Sequence, residues 1–140
     1  MKTEATSFLL QPVGVVRSAI KNRGDGPKQG REGAPAAWIE IDPRFAESLQ
    51  GIEVGDEIIV ITWLHLARRD ELRVHPRGET TNPLIGVFAT RSPDRPNPLG
   101  LHRVRVLEAG TNGLTVSPLE AIDGTPVLDI KPTLADWNDS

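Results

Sequence analysis

Residues 86–100, Gly86-Val-Phe-Ala-Thr-Arg-Ser-Pro-Asp-Arg-Pro-Asn-Pro-Leu-Gly100, combine groups that bind anions with residues that stiffen the backbone. The run holds two arginines and an asparagine among three prolines and two glycines. Proline fixes φ and removes a hydrogen-bond donor, while glycine allows backbone geometries that other residues avoid. Such a loop keeps one shape and presents its guanidinium groups to a ligand. The alternative, from composition alone, is a stiffened hairpin connection whose arginines are solvated.

The charge of the chain is unevenly distributed. The formal net charge is −3, whereas the stretch from residue 65 to residue 105 holds eight arginines against four acidic residues, a local balance of +4. The overall acidity argues against a general nucleic-acid binder, because phosphate neutralisation normally shows as a basic surplus. The basic stretch favours an RNA partner if its arginines gather beside a pocket. Scattered arginines would form an ordinary mixed surface.

Length and composition predict one domain. The 140 residues, 38% hydrophobic and 25% charged, are enough to bury a core, with residues 1–10 and 135–140 expected as flexible ends. The absence of cysteine excludes disulfides and thiolate metal sites, and the three histidines share no metal-ligand spacing. The apolar patch Phe8-Leu-Leu10 is too short for a signal sequence or a membrane span. We therefore expect a cytoplasmic protein with no metal and no membrane contact.

Short apolar and β-branched runs, separated by turn signals, predict a mainly β protein. The predicted strands are residues 13–16, 37–41, 57–66, 84–90, 101–108, 114–117 and 127–130. Their regular spacing favours a small single-sheet β-barrel with one or two short helices over a βαβ sheet. No Gly-x-Gly-x-x-Gly follows a strand, so a nucleotide-like cofactor would be held without the Gly-rich turn of α/β folds.

Three further features complete the predicted fold. Asp42 as N-cap and Pro43 at the first helical position predict a short helix that ends before Gly51. Residues 69–74 are predicted as a second helical turn. Trp38 and Trp63 lie in predicted strands and are expected in the core.

Three blocks of the sequence resemble one known family. They are Gly86-Val-Phe-Ala-Thr-Arg-Ser92 with Arg95-Pro-Asn-Pro-Leu-Gly-Leu101, Asp123-Gly-Thr-Pro-Val-Leu-Asp-Ile-Lys-Pro132, and Val13-Gly-Val-Val-Arg-Ser18 with Pro27-Lys-Gln29. Together they span nearly the whole chain and resemble the TsaA-like family, whose best-known members are S-adenosylmethionine-dependent tRNA methyltransferases of the TrmO type. The resemblance implies a single-sheet β-barrel, S-adenosylmethionine as cofactor, and a homodimer with the cofactor pocket at the subunit interface.

The resemblance also implies cofactor contacts by position. The matching residues are Pro27, Lys28, Gln29, His65, Leu66, Arg91, Leu101, Ala121, Ile122, Asp123 and Gly124. Lys28 stands where the family pattern has arginine, so a bidentate grip becomes a point-charge contact. Arg91 suits the methionine carboxylate, because a guanidinium binds carboxylates in a fork geometry. Asp123 would accept from ribose hydroxyls or from the amino group; alternatively, Asp123-Gly124 is an ordinary tight-turn pair.

The reaction that the family implies needs alignment more than covalent chemistry. Methyl transfer from a sulfonium is an in-line displacement without a protein nucleophile. An adenine exocyclic nitrogen must lose a proton, for which His65 and Asp129 are the candidate bases. The alternatives are a structural hydrogen bond for His65 and an ion pair of Asp129 with Lys131. Arg95, Asn97 and Lys131 are the candidate substrate contacts, and Arg95 could instead brace the loop through backbone carbonyls.

The leading hypothesis is a methyltransferase that acts on N6 of a threonylcarbamoyl-modified adenosine next to the tRNA anticodon. The chain departs from the family pattern at Thr133, where Lys-Pro-Tyr is usual, and it has no tyrosine for base stacking. Leu101-His102 replaces the frequent Leu-Ser, and the additional C-terminal domain of longer relatives is not expected here. The alternatives are a barrel that methylates a small molecule and a non-catalytic S-adenosylmethionine-binding module.

Overall fold

The computed structural model describes residues 6–23 and 36–134. Its strands are β1 (Gly14–Arg17), β2 (Ala37–Ile41), β3 (Glu57–Trp63), β4 (Arg73–Val74), β5 (Ile85–Gly86), β6 (Leu99–Ala109), β7 (Gly113–Ser117) and β8 (Pro126–Pro132). Short 3₁₀ helices span Pro43–Leu49, Pro76–Gly78 and Val87–Ala89. Within these ranges no helix is long and apolar enough to cross a membrane.

Six strands close into an antiparallel barrel in the order β1-β2-β7-β6-β3-β8, with β8 pairing back to β1. The remaining two, β4 and β5, form a separate hairpin. Alternating side chains fill the barrel, because successive residues of a strand point to opposite faces. On β6, for example, Val104 and Val106 are buried while Arg103 and Arg105 are exposed. The predicted mainly β barrel is therefore confirmed.

The helix predicted after Asp42 is confirmed, as a 3₁₀ helix over Pro43–Leu49. The Asp42 side chain accepts from the backbone N–H of Arg44 at 2.9 Å, which is the expected N-cap bond. Phe45 and Leu49 of this helix pack against the barrel core.

The prediction that both tryptophans are core residues is wrong. Trp38 lies between the buried Ala37 and Ile39, so its ring faces outward, over Gly113. Trp63 follows the inward-facing Thr62 and also faces outward, where the Arg69 guanidinium carbon stacks 5.0 Å from the ring centroid. The parity of each strand is fixed by its aliphatic residues, and the tryptophans take the face that is left.

Three predicted element boundaries also need correction. The third strand ends at Trp63, and residues 64–67 form a turn closed by a bond from Ala67 N–H to the Leu64 carbonyl at 3.0 Å. The strand predicted over 84–90 is only β5, followed by the 3₁₀ helix Val87–Ala89. The helical turn predicted over 69–74 is absent from this described segment, which bends and then enters β4. Contacts with the loop that precedes β6 hold it in this shape.

Two glycines beside Trp38 allow a paired test of this packing. A methyl group on Gly113 would lie 2.3 Å from the Ile39 carbonyl oxygen and 2.5 Å from the Trp38 ring, whereas one on Gly110 would meet nothing closer than 3.6 Å. We expect Gly113→Ala to lower the free energy of unfolding by about 2–3 kcal/mol and Gly110→Ala to change it by less than about 0.5 kcal/mol. Urea unfolding of both variants measures this. Equal effects would contradict the close approach at Gly113.

Candidate functional site

A cavity of about 1680 Å³ opens beside the loop that joins β5 to β6. Its walls come from residues 20–23, the turn after β3, the β4–β5 hairpin, the outer part of β6 and the β7–β8 connection. Among the described residues, seven arginines and four carboxylates line it: Arg23, Arg73, Arg77, Arg91, Arg95, Arg103 and Arg105 with Glu57, Glu71, Asp94 and Glu120. Six of the eight arginines of the basic stretch therefore line this one cavity, and Arg68 and Arg69 do not.

Arg95 holds the proline-rich loop by binding its carbonyl groups. The guanidinium donates to the Thr90 carbonyl oxygen at 3.1 Å from both terminal nitrogens and also to the Val87 carbonyl oxygen. Prolines supply no N–H, so a loop of this composition needs side-chain donors for its carbonyls. Of the two roles left open for Arg95, its contacts in this structure are those of a brace.

Asp94 ties together three segments that line the cavity. One terminal nitrogen, Nη2, of Arg23 donates to both oxygens of this carboxylate, each at 3.1 Å, and the carboxylate also accepts the backbone N–H of Arg68 at 2.8 Å. Arg23 also donates to the Leu66 carbonyl oxygen at 3.2 Å. Charge-assisted bonds of this kind are about twice as strong as neutral ones. One carboxylate thus fixes residues 20–23 and the turn after β3 against the proline-rich loop.

Arg91 is exposed on the same loop and lines the cavity. In the part of the chain that the structure describes, it has neither a hydrogen bond nor an ion pair. The bonds that hold the loop come from neighbouring Arg95 and Asp94, and Arg91 makes none of them. Its guanidinium is therefore available to a carboxylate of a bound ligand.

The structure brings together several of the residues predicted as cofactor contacts. Those that line the cavity with Arg91 are His65, Leu66, Leu101, Ala121 and Ile122. His65 and Leu66 are exposed in the turn after β3, and Leu101 lies on the outer face of β6. The cavity thus offers both an apolar wall and a free cation.

Other predicted site residues lie away from this cavity. Asp123 lines a shallow groove beside Trp38, where it accepts the Ser18 N–H at 3.0 Å and pairs with Lys21 at 3.1 Å. The bond from Ser18 and then Lys21 hold the pKa of the Asp123 carboxyl below its usual range. Gly124 follows with φ of 89°, the left-handed conformation that glycine favours in a tight turn.

Three more of the predicted residues, Asn97, Asp129 and Lys131, also fall outside the cavity wall. Asp129 and Lys131 are exposed on β8 and form an ion pair at 3.6 Å, which is the alternative left open for them. Asn97 accepts from Arg69 at 3.2 Å. Pro27, Lys28 and Gln29 lie outside the described residues.

Sequence reasoning missed His102 as a residue of the cavity. It occupies an inward-facing position of β6, and its Nε2 lies 2.8 Å from the hydroxyl of the buried Thr62. Burial lowers the pKa of the His102 imidazole to about 4, so the ring is neutral at pH 7. The available signal was its parity with Val104 and Val106, which places it inside the barrel. Over residues 6–23 and 36–134, no group of three metal-ligating side chains lies close enough to hold an ion.

A closed antiparallel barrel with an arginine-rich cavity beside a proline-rich loop that Arg95 braces defines a small ligand-binding β-barrel. The family model of the tRNA-methyltransferase O N-terminal domain matches residues 15–139, so the chain belongs to that family.

Two curated relatives match almost end to end. The chain is 49% identical over 127 residues to a probable S-adenosyl-L-methionine-binding protein of Methanothermobacter thermautotrophicus, which covers 91% of this chain and 90% of the relative. It is also 49% identical over 124 residues to an S-adenosyl-L-methionine-binding protein of Archaeoglobus fulgidus, which covers 89% and 88%.

A solved structure has the same fold. The crystal structure of TrmO from Pseudomonas aeruginosa superposes with a TM-score of 0.75 at 30% identity. The match covers 97% of this chain but only 63% of the length of that protein.

The bonds of Asp94 to Arg23 and to the Arg68 N–H give a prediction with a matched control. Asp94→Asn keeps the size of the side chain but removes the charge that Arg23 and the Arg68 N–H share. We expect it to lower the free energy of unfolding by about 1 kcal/mol and to speed hydrogen exchange of the Arg68 amide at least about tenfold by NMR. Asp70→Asn removes a second carboxylate that pairs with Arg68, on its side chain at 3.3 Å, and should leave that amide unchanged. Equal exchange rates in the two variants would contradict the tie.

Proposed function

We propose that this chain transfers the methyl group of S-adenosylmethionine to N6 of a threonylcarbamoyl-modified adenosine next to the tRNA anticodon, in the cytoplasm. The observation that carries the proposal is the cavity, where the unpaired Arg91 faces a space bordered by a surplus of arginines. Family membership over residues 15–139 supplies the class of reaction.

The cofactor is S-adenosylmethionine. Both near full-length relatives are named for binding it, and the cavity fits its chemistry. Arg91 would pair with the methionine carboxylate, and the apolar side chains of Leu66, Leu101 and Ile122 would cover the less polar parts of the molecule. When bound, the cofactor supplies an electrophilic methyl group on a sulfonium. Pro27, Lys28 and Gln29 remain predicted contacts from the resemblance.

The protein's own residues would then align the acceptor and take its proton. His65 is exposed in the turn after β3 and lines the cavity, so it is the proposed base. Asp129 is the weaker candidate because it faces away from the cavity and pairs with Lys131. His102 is neutral but its Nε2 is bound to Thr62, which suits a positioning role better than proton transfer.

The surplus of arginines favours an anionic acceptor over a neutral small molecule. Three of the four carboxylates in the cavity wall already pair with arginines: Glu57 with Arg103, Glu71 with Arg68 and Asp94 with Arg23. Arg91 and Arg105 have no partner in the described part of the chain, so both guanidinium groups can meet an anionic ligand. A phosphodiester backbone would complement that charge.

A non-catalytic S-adenosylmethionine-binding module is the second candidate. The relatives that match this chain almost end to end are named as binding proteins, without a reaction. The named methyltransferase structure is longer, and this chain covers 63% of it.

A methyl-transfer assay separates the candidates. The chain is incubated with methyl-labelled S-adenosylmethionine and two matched tRNA preparations, one with and one without the threonylcarbamoyl modification, and the nucleosides are analysed by mass spectrometry. We expect label only in the modified adenosine of the first preparation. Label in small molecules alone would support the alternative in which the methyl acceptor is a small molecule. Calorimetric binding of the cofactor without any transfer would support the binding module.

We also infer that the working unit is a homodimer with this cavity at the interface. Large apolar side chains around the cavity are exposed, among them Phe88 at 88% and Leu101 at 50%. Large exposed apolar side chains gathered around one cavity favour an interaction site there. The cavity is also open to solvent on one side, and a second copy would complete its wall.

Light scattering at tens of micromolar tests this assembly with paired variants. The wild-type chain should be a dimer, and Phe88→Glu should be monomeric because it places a charge in the apolar surface. Val54→Glu changes another exposed apolar residue, 65% exposed and away from the cavity, and should remain dimeric. A monomeric wild type would contradict the inference.

A further inference from the structure

The tip of the β4–β5 hairpin holds an arginine in a backbone conformation that suits glycine. Arg77 has φ of 58° and ψ of 19°, in the left-handed region, between Pro76 and Gly78. In the described part of the chain it is the one non-glycine residue with positive φ. Side chains with a Cβ are disfavoured there, and glycine or asparagine is the usual choice.

The surrounding turn fixes this conformation. The Gly78 N–H donates to the His75 carbonyl at 2.9 Å, and the Asn82 side-chain amide donates to the Pro76 carbonyl at 2.9 Å. On the other side, Nδ1 of His75 lies 2.8 Å from the Asn82 carbonyl oxygen. The turn therefore holds the backbone of residue 77 in one conformation, which glycine would adopt with less strain. An arginine that its surroundings hold in such a conformation motivates a functional hypothesis for its side chain.

Arg77 also lines the cavity described above, together with Arg73, Arg91, Arg103 and Arg105. The hairpin carries it on a separate two-stranded sheet, outside the barrel. The Arg77 guanidinium adds positive charge to the cavity wall, and Arg77 is not among the cofactor contacts predicted from the sequence. The chemistry that matches it is a phosphate oxyanion on an extended ligand.

The geometry points to Arg77 as a positioning residue that binds a backbone phosphate of the acceptor RNA. This inference rests on the proposed function, because it takes the same cavity and the same substrate class. The contact lies on the substrate away from the transferred methyl group. It therefore contributes equally to ground-state and transition-state binding, and its loss raises KM and leaves kcat unchanged.

Three substitutions at position 77 test the inference. Arg77→Gly and Arg77→Asn relieve the backbone and remove the guanidinium, while Arg77→Lys keeps the charge. For the first two we expect KM for tRNA to rise about 5- to 20-fold with kcat within about twofold, and the cofactor Kd to stay unchanged by calorimetry. Tm should stay the same or rise by about 2–4 °C. The slope of the logarithm of the tRNA-binding constant against the logarithm of salt concentration should decrease in magnitude by about one. Arg77→Lys should keep the wild-type slope.

Arg44→Asn is the control, since Arg44 is an exposed arginine away from the cavity and should keep the wild-type KM. An unchanged KM in Arg77→Asn would overturn the inference. A drop in Tm and cofactor affinity together with the rise in KM would also overturn it, because that pattern means a structural role. Fluorescence anisotropy with an anticodon stem-loop that carries the threonylcarbamoyl modification, followed by mass spectrometry of its nucleosides, separates this from the proposed function. If wild type binds this RNA without methylating it, the proposed reaction fails, and weaker binding by Arg77→Asn still supports the phosphate contact. If wild type does not bind it, both fail.

Discussion

The site depends on side-chain hydrogen bonds that replace those a proline-rich loop cannot make through its backbone. Three prolines in residues 86–100 remove donors from the loop, and Arg95 supplies donors to the carbonyls of Val87 and Thr90 instead. Asp94 adds the link to Arg23 and to the Arg68 N–H. Together these bonds hold the loop in a shape that no regular element enforces. These bonds use Asp94 and Arg95 and not Arg91. The loop is therefore held in place while the Arg91 guanidinium remains available to a ligand.

The barrel supplies the platform for this loop. The strands β3 and β6 pair over seven residues, from Glu57 opposite Arg105 to Trp63 opposite Leu99. The loop and the turn after β3 leave the barrel at the same end of that ladder, and the Leu64 N–H bonds the Pro98 carbonyl at 2.8 Å. The inner faces of the two strands fill the core. Their outer faces are free to carry Leu101 and Arg105 toward the cavity.

The sequence predicts the parts of this molecule that local alternation decides. The exposed Arg103 and Arg105 alternate with buried Val104 and Val106, so strand and face follow directly. Alternation also places Trp38 and Trp63 outside, but their size and hydrophobicity favoured the core, and that prediction was wrong. Residues 69–74 are shaped by bonds to the distant loop, which no local pattern contains. For the same reason the sequence left two roles open for Arg95, since its carbonyl acceptors become visible only in three dimensions.

Calorimetric titration of S-adenosylmethionine into Arg91→Ala and Arg105→Ala tests the central claim, that the braced loop reserves Arg91 for the cofactor. Both arginines line the cavity and neither has a partner among residues 6–23 and 36–134, so the pair separates a specific contact from a general loss of charge. We predict that Arg91→Ala raises the cofactor Kd about 10- to 100-fold, the scale of a hydrogen bond between charged groups, while Arg105→Ala stays within about twofold of wild type. Equal losses in the two variants, or an unchanged Kd in Arg91→Ala, would contradict the account.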